Sequence, residues 1–227
     1  MNATFKSVIV DVDDFDVEGI KRDSRVRNET AILLQLQNEG DRDAPISDVE
    51  VELLERMDVK NCPQGAGGGY SEVDFAVAVP ADVEAPRTLT ADLQKYDYAF
   101  VEGGKTDALT VSIGMTPISS GQYPVLFKIR VIIHNGDKVS VASPTMVIAA
   151  NQGLVDTATA QYRDWQDPRQ PVGVENPEDR NGVLDCFARQ AERIDKFIHG
   201  HRGKHVAKPV VSMRDEFRKS VPFNLGG

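Results

Sequence analysis

The chain has 227 residues, of which 41% are hydrophobic and 27% charged, as expected for one large folded domain or a domain with an extension. Its net charge of −9 is concentrated in residues 1–150, which hold 24 acidic and 14 basic side chains, a balance of −10. Because phosphate contact needs a basic face, this argues against nucleic-acid binding. We find no signal-peptide pattern and no membrane-spanning run, so we expect a cytoplasmic protein that is neither secreted nor membrane-bound.

Alternating apolar and polar residues predict a succession of β-strands through the first 150 residues. In the first half, the residues expected to face inward are Val8, Val10, Val12, Ile32, Leu34, Leu36, Val49, Val51 and Leu53. In the second half they are Val73, Phe75, Val77, Val79, Leu89, Ala91, Leu93, Leu109, Val111, Ile113 and Met115, and the stretch around Tyr96, Tyr98 and Phe100 continues or replaces a weak strand. The same alternation places Glu50 and Glu52 on the outer side of their strand.

A tyrosine after a turn of small residues introduces the next strand. The turn Ser119-Ser120-Gly121-Gln122 leads to Tyr123 and then to an alternating run over 125–133. This run ends at Asn135-Gly136, a strong hairpin signal. Pro144 then predicts an edge or a bulge before the last strand.

The tyrosine turn and the segment 33–54 resemble immunoglobulin-like and fibronectin type III-like domains over residues 5–150. The resemblance implies an antiparallel β-sandwich in which Tyr123 packs at a corner between two sheets. It also implies a role in adhesion, scaffolding or recognition, and it supplies no active-site residues. We therefore predict a mainly β protein with an immunoglobulin-like sandwich over 1–150, a linker over 151–175 and a helical carboxy-terminal arm over 176–227.

The arm begins with a helix signal at Asn176-Pro177 and continues with apolar residues three and four positions apart as far as Gly200. No acid occurs between Asp195 and Asp215, so an apolar stripe with a basic margin suits an acidic protein surface, such as that of another copy. The candidate partner-contact residues are Phe187, Arg189, Arg193, Ile194, Lys196, Phe197, Arg202 and Lys204. On this view, deleting residues 174–227 should leave a folded β-rich domain.

The two cysteines lie 124 positions apart in unlike segments. Cys62 is in a loop rich in proline and glycine, and Cys186 is on the predicted helix. Neither has a neighbour at a metal-binding or redox spacing, so we predict two free thiols.

Two clusters contain residue types that bind metals. The acidic segment 11–18 imitates the start of an EF-hand loop, but Arg25 stands where the loop needs a glutamate, so protection of an edge strand is the simpler interpretation. Another type of calcium site remains an alternative there. His199, His201 and His205 are interrupted by glycines, which favours a basic protein-binding arm over a zinc or phosphate site. We predict no metal and no cofactor.

The catalytic motifs that we sought are missing from the sequence: a nucleophile elbow, a zinc-protease motif, a Walker motif and a dinucleotide fingerprint. We therefore predict a non-enzyme, a structural or assembly subunit that makes protein–protein contacts in a larger particle. A virion or phage structural protein fits this description, and its location would then be the virion. The alternative is a cytoplasmic bacterial adaptor or ligand-recognition subunit that binds its partner through sandwich loops.

Overall fold

The computed structural model describes residues 5–11, 30–60, 62, 75–80, 82–91, 100–115, 124–135, 139–150, 152–167, 169, 177–201 and 205–219. The strands within these ranges are β1 (Phe5–Asp11), β2 (Thr30–Asn38), β3 (Ala44–Pro45), β4 (Asp48–Asp58), β5 (Phe75–Val79), β6 (Arg87–Thr90), β7 (Phe100–Val101), β8 (Thr106–Met115), β9 (Val125–Asn135), β10 (Val139–Ala142) and β11 (Met146–Ala149). The helices are α1 (Gln152–Gln166), α2 (Pro177–Ile198) and α3 (Lys208–Arg218). The expectation of a sheet-rich protein is confirmed. Tyr123 and most of the acidic segment 11–18 lie outside the described residues.

Two sheets contain most of the strands. The first has the order β1-β2-β8-β5, with antiparallel pairs except for the parallel pair β5–β8. The second has the order β10-β9-β4-β6, and β11 pairs with the same edge of β9 as β10 does. A short third sheet joins β3 to β7. At their edges the two large sheets adjoin, because β1 contacts β10 and β5 contacts β6.

Alternation along the strands divides inner from outer side chains, as the sequence indicates. Val49, Val51 and Leu53 are fully buried in β4, whereas Glu50 and Glu52 are half-buried on its other face. Residues of both sheets and of all three helices belong to one hydrophobic core. Valine, leucine and isoleucine build most of it, and this suits strands whose β-branched side chains pack well on a pleated surface.

Ser143 fills the gap between β10 and β11. Its backbone N–H donates to the carbonyl of Val131 at 2.8 Å, and its Oγ accepts the backbone N–H of Val131 at 2.9 Å. Pro144, which has no N–H to offer the ladder, follows at once. The break predicted at Pro144 is therefore confirmed, and the serine side chain takes the place of a strand partner.

We expect Ser143→Ala to lower the free energy of unfolding by about 1–3 kcal/mol, because a buried N–H would lose its only side-chain partner. Urea denaturation followed by circular dichroism measures this change. Ser212→Ala on the exposed side of α3 is the matched control and should be close to neutral. Equal stability of the two variants would contradict the role given to Ser143.

A helix replaces most of the linker predicted over 151–175. α1 spans Gln152–Gln166, and its apolar residues Val155, Ala158, Tyr162 and Trp165 recur at intervals of three and four. They are buried or half-buried, as on one face of a helix. The segment was predicted as a linker because polar residues separate these apolar positions.

The three helices pack around an aromatic cluster contributed one residue each by α1, α2 and α3. The ring centroids are 5.3 Å apart for Tyr162 and Phe187, 5.7 Å for Tyr162 and Phe217, and 4.8 Å for Phe187 and Phe217. Tilted and edge-to-face contacts at these distances are favourable beyond their buried area. We call α1, α2 and α3 the helical unit.

The helical unit covers the outer face of the second sheet at one end. Leu126, Val147 and Ala149 lie on that face, opposite the buried Phe127 and Ile148, yet all three are fully buried. The segment before α3 also joins the edge of β11, where the N–H of Ala207 donates to the carbonyl of Val147 at 2.9 Å. The helices therefore close the core from outside the sheet.

Candidate protein-contact site

The apolar contact candidates on α2 belong to the protein's own core. Phe187 is 3% exposed and Ile194 is 0% exposed, and both pack within the shared core cluster. Neither side chain can meet a partner while the helical unit is folded. The apolar stripe of α2 was predicted to meet a partner, but this chain's own sheet and helices bury it.

Two further candidates contact the second sheet. The Arg193 Nη2 group donates to the carbonyl of Asp58 at 3.2 Å, and its Nη1 group donates to Oε1 of Gln190 at 2.7 Å. The Phe197 ring has the Nζ of Lys128 5.0 Å from its centroid, within the range of a cation–π contact. Both side chains thus act within the molecule.

Arg189 and Lys196 are exposed, on the side of α2 that faces away from the core. They share this side with Asp185 and Glu192, at the four-residue spacing of Asp185–Arg189 and Glu192–Lys196. Such mixed charges are typical of a solvated helix face. Arg202 and Lys204 lie outside the described residues.

Cys62 and Cys186 form a disulfide, so the prediction of two free thiols is wrong. Their distance in sequence did not exclude pairing, because the end of β4 brings the segment after it against α2. The bridge ties the second sheet to the helical unit across 124 positions. Both cysteines are half-buried.

The three histidines near the end of α2 are not brought into a metal site. His199 is exposed, while His201 and His205 are half-buried. Within the part of the chain that the structure describes, no group of three histidine, cysteine or acidic side chains could hold a metal ion.

Ion pairs between helices hold the basic residues of α3. Asp195 of α2 accepts from Arg218 and lies 3.7 Å from the Nε of Arg214. A hydrogen bond from Lys219 holds the pKa of Glu216 below its ordinary value, and the guanidinium of Arg163 acts in the same direction. Much of the positive charge of this region is therefore engaged within the helical unit.

The outer face of the second sheet carries a ladder of opposite charges beyond the helices. Arg130 pairs with Glu52 at 2.6 Å, Lys128 pairs with Glu55 at 2.9 Å, and His134 lies 3.3 Å from Glu50. The first two join residues that are directly opposite on β9 and β4. Because each acid faces a base, this surface has little charge left for a partner.

The end of the molecule away from the helical unit carries an exposed aromatic residue. Phe100 in β7 is 48% exposed, and it is the only exposed large hydrophobic residue within the described ranges. Its cross-strand neighbour in β3 is Pro45, which is also exposed, while their sequence neighbours Ala44 and Val101 are buried. Strand alternation thus places an apolar pair on the surface.

A buried asparagine fixes the support beneath this pair. Asn38 is fully buried, and its Nδ2 donates to the carbonyls of Arg42 at 2.7 Å and Val101 at 2.9 Å. Its Oδ1 accepts the N–H of Gly40 at 3.0 Å. One side chain therefore joins the loop before β3 to β7, so the exposed pair stands on a defined backbone.

Gly103 allows the two loops to approach closely. A Cβ at this position would lie 2.7 Å from the carbonyl carbon of Asp41, which is too close for any larger residue. The Gly103 N–H donates to Oδ1 of Asp43 at 3.3 Å. This contact holds Asp43 next to the apolar pair.

Four acidic residues lie in the chain segments next to the pair. Glu39, Asp41, Asp43 and Glu102 are exposed, and none of them has an ion-pair partner among the residues that the structure describes. Arg42 and Lys105 are the exposed bases of the same loops. We name the apolar pair Pro45–Phe100, with these four acids, the Phe100 end.

The Phe100 end and the disulfide lie at opposite ends of β4. Pro45 comes shortly before the first residue of β4, and Cys62 comes shortly after its last residue. Ten steps of about 3.3 Å separate the ends of an 11-residue strand, roughly 33 Å. The helical unit therefore leaves the Phe100 end uncovered.

Sequence reasoning missed this site. The stretch around Tyr96, Tyr98 and Phe100 was predicted only to continue or replace a weak strand. The structure gives the reason for the exposure: β3 and β7 are two residues long, which leaves no second inward position to bury the ring.

Within the described residues, no helix has the length and apolar character needed to cross a membrane.

Comparison with known proteins finds no matching family model and no matching curated relative. Among solved structures, the sporulation control protein Spo0M from Bacillus subtilis is similar with 10% identity and a TM-score of 0.29 over 72% of this chain and 56% of that one. The match thus spans little more than half of that protein. A putative ApaA protein from Bordetella pertussis has 8% identity and a TM-score of 0.27 over 66% of this chain and 93% of that one. A mutant β-glucosidase from Listeria innocua has 10% identity and a TM-score of 0.27 over 65% and 16%.

Proposed function

We propose that the chain is a non-catalytic subunit that contacts a protein partner through the Phe100 end of an immunoglobulin-like β-sandwich. Two features support the sandwich: the large sheets share one core, and they adjoin at both edges. In such folds the loops at one end of the sandwich are common binding surfaces. The Phe100 end is a loop end of this kind.

The exposure of Phe100 carries the proposal. Aromatic residues are enriched among the side chains that dominate binding energy, because they bury a large area at a small entropic cost. A single exposed apolar residue on a mobile loop would mean little. Phe100 differs because Asn38 and Gly103 fix the backbone beneath it.

The charges around Phe100 indicate the chemistry of the partner. These four acids have no ion-pair partner among the described residues, which favours a basic surface, and a lysine or arginine side chain can also stack on the face of an aromatic ring. A basic segment that contains an apolar residue would satisfy both features.

This chain's own helical unit supplies exposed basic residues. Exposed Lys196 and Lys208 belong to the helical unit, at the other end of β4 from Phe100. A contact between unlike ends of two copies is heterologous, and repeated contacts of this type build rings or filaments. This geometry suits an assembly subunit of a larger particle. The alternative, an adaptor, would use the same end on a different protein.

We expect sedimentation velocity to show concentration-dependent association that weakens as salt is raised, because exposed charges are screened. Phe100→Ser should weaken this association at least about tenfold, as loss of an aromatic anchor does. Gln35→Ser, an exposed position in the middle of β2, is the matched control and should associate as the parent chain does.

Association that is indifferent to Phe100→Ser would place the contact elsewhere. A monomer at every concentration would overturn self-assembly and leave the adaptor alternative. That alternative expects the parent chain to bind a fluorescent peptide with arginines around an aromatic residue, and Phe100→Ser to bind it less tightly. Equal binding by both proteins would contradict it.

A further inference from the structure

One face of α2 follows the end of β4 and the start of β9. Cys186, Gln190, Arg193 and Phe197 are spaced by four, three and four positions, so they share one side of the helix. The residues that they meet are Cys62, Lys60, Asp58 and Lys128. We call this line of contacts, with residues 58–60 and Cys62, the clasp.

Buried Gln190 is at the centre of the clasp. Its Oε1 accepts the backbone N–H of Lys60 at 3.2 Å and a guanidinium hydrogen of Arg193 at 2.7 Å. Arg193 in turn donates to the carbonyl of Asp58. The backbone beyond β4 thus bonds to side chains of α2, and the disulfide closes the line at Cys62.

The docking of the helical unit has other sources. The buried face of α2 packs in the aromatic cluster and the core, and α3 reaches β11 through Ala207. Among the clasp residues, only Phe197 and Cys62 pack at the margin of that core. Val59 is buried, and its N–H donates to the carbonyl of Pro124 at 2.9 Å, so it has its own support. Loss of the disulfide should therefore loosen Lys60 and Cys62 while Val59 and the helices stay in place.

We propose that the clasp is a redox-sensitive device, locked by the Cys62–Cys186 disulfide and opened by a dithiol reductant. In the opening step a thiolate of the reductant attacks one sulfur, which forms a mixed disulfide with that cysteine and releases the other cysteine as a thiolate. The second thiolate of the reductant then attacks the mixed disulfide and displaces the cysteine still bound to it. The products are two cysteine thiols and the oxidised, cyclic reductant, so two electrons and two protons pass to the protein. Half-burial leaves both cysteines within reach of such a reagent.

The clasp does not depend on the identity of any partner, because it lies at the opposite end of β4 from Phe100. The disulfide thus has a local effect on the backbone after β4 in addition to its effect on overall stability. Disulfides persist in oxidising compartments and are transient in reducing ones. The redox state of the surroundings would then decide whether Lys60 and Cys62 stay bound to α2.

Hydrogen exchange at two backbone amides distinguishes local opening of the clasp from unfolding of the whole protein. The Lys60 N–H reports the clasp, and the Ala207 N–H reports docking of the helical unit on β11. Hydrogen exchange at both is measured by NMR on the full chain, first oxidised and then reduced with dithiothreitol. We expect exchange at Lys60 to accelerate on reduction at least about tenfold more than exchange at Ala207, which should change only as far as the overall stability does.

The double variant Cys62→Ser/Cys186→Ser is the control, and it should match the reduced protein with or without dithiothreitol. Unchanged exchange at Lys60 after full reduction would show that the disulfide holds nothing there. Equal acceleration at both amides would show that the bridge acts only through the stability of the whole protein. If mass spectrometry finds both thiols free after incubation with oxidised glutathione, the clasp is not closed by a disulfide. Each of these three results overturns the proposal.

Discussion

Phe217→Ala is expected to lower the free energy of unfolding by about 3–5 kcal/mol, because it removes a ring from a closely packed site. Phe217 is almost fully buried, and its ring contacts those of Phe187 and Tyr162 from two other helices. No single neighbour could move to fill the space without losing contacts of its own. Equilibrium urea denaturation, followed by the fluorescence of Trp165, the single tryptophan of the chain, measures the loss within the helical unit.

Phe197→Ala, on α2, is the matched control within the helical unit. Its ring is half-buried and contacts Lys128, so its loss should cost about 1–2 kcal/mol. An equal cost for the two variants would mean that the aromatic cluster is not the centre of the helical unit.

The strands could be predicted because burial repeats every second residue on a sheet. Val49, Val51 and Leu53 face inward and Glu50 faces outward, so the pattern alone defines both faces of β4. A second local rule, the missing N–H of proline, located the break at Pro144. Where one local rule of this kind decides the structure, the sequence is sufficient to predict it.

The helical unit was predicted only in part, because its partner surface could not be read from the sequence. The stripe of α2 that contains Phe187 and Ile194 is clear in the sequence, but a stripe does not say what covers it. The covering surface is the outer face of the second sheet, where residues of β9 and β11 such as Leu126 and Val147 are buried as well. β11 is four residues long and apolar throughout, which indicates burial on both faces only once its position is known.

The disulfide and the Phe100 end were missed for a related reason. Both depend on which chain segments meet in space, and local patterns carry no such information. Cys62 and Cys186 meet because β4 ends beside α2. Phe100 is exposed because β3 and β7 form a sheet too short to cover it.

Deletion of residues 174–227 is expected to abolish stable folding, in contrast to the folded β-rich domain that the sequence suggested. The deletion removes α2 and α3, and it uncovers Leu126, Val147 and Ala149 on the outer face of the second sheet. It also leaves Tyr162 of α1 without both aromatic neighbours. Each large apolar side chain exposed costs about 1.5–3 kcal/mol, and several together exceed a typical net stability of about 5–15 kcal/mol.

The deletion also removes Cys186, so the effect of the disulfide has to be measured separately. Full-length Cys186→Ser lacks the bridge but keeps every helix, and we expect it to fold and to unfold cooperatively, with a stability lowered by about 2–4 kcal/mol. Circular dichroism, thermal denaturation and binding of a hydrophobic dye compare the two proteins. Dye binding and a missing thermal transition in the deletion alone would establish that the helices complete the core. A truncated chain that keeps a cooperative transition and binds no dye would show instead that the sheets fold by themselves, and would return the helical unit to the role of a separate arm.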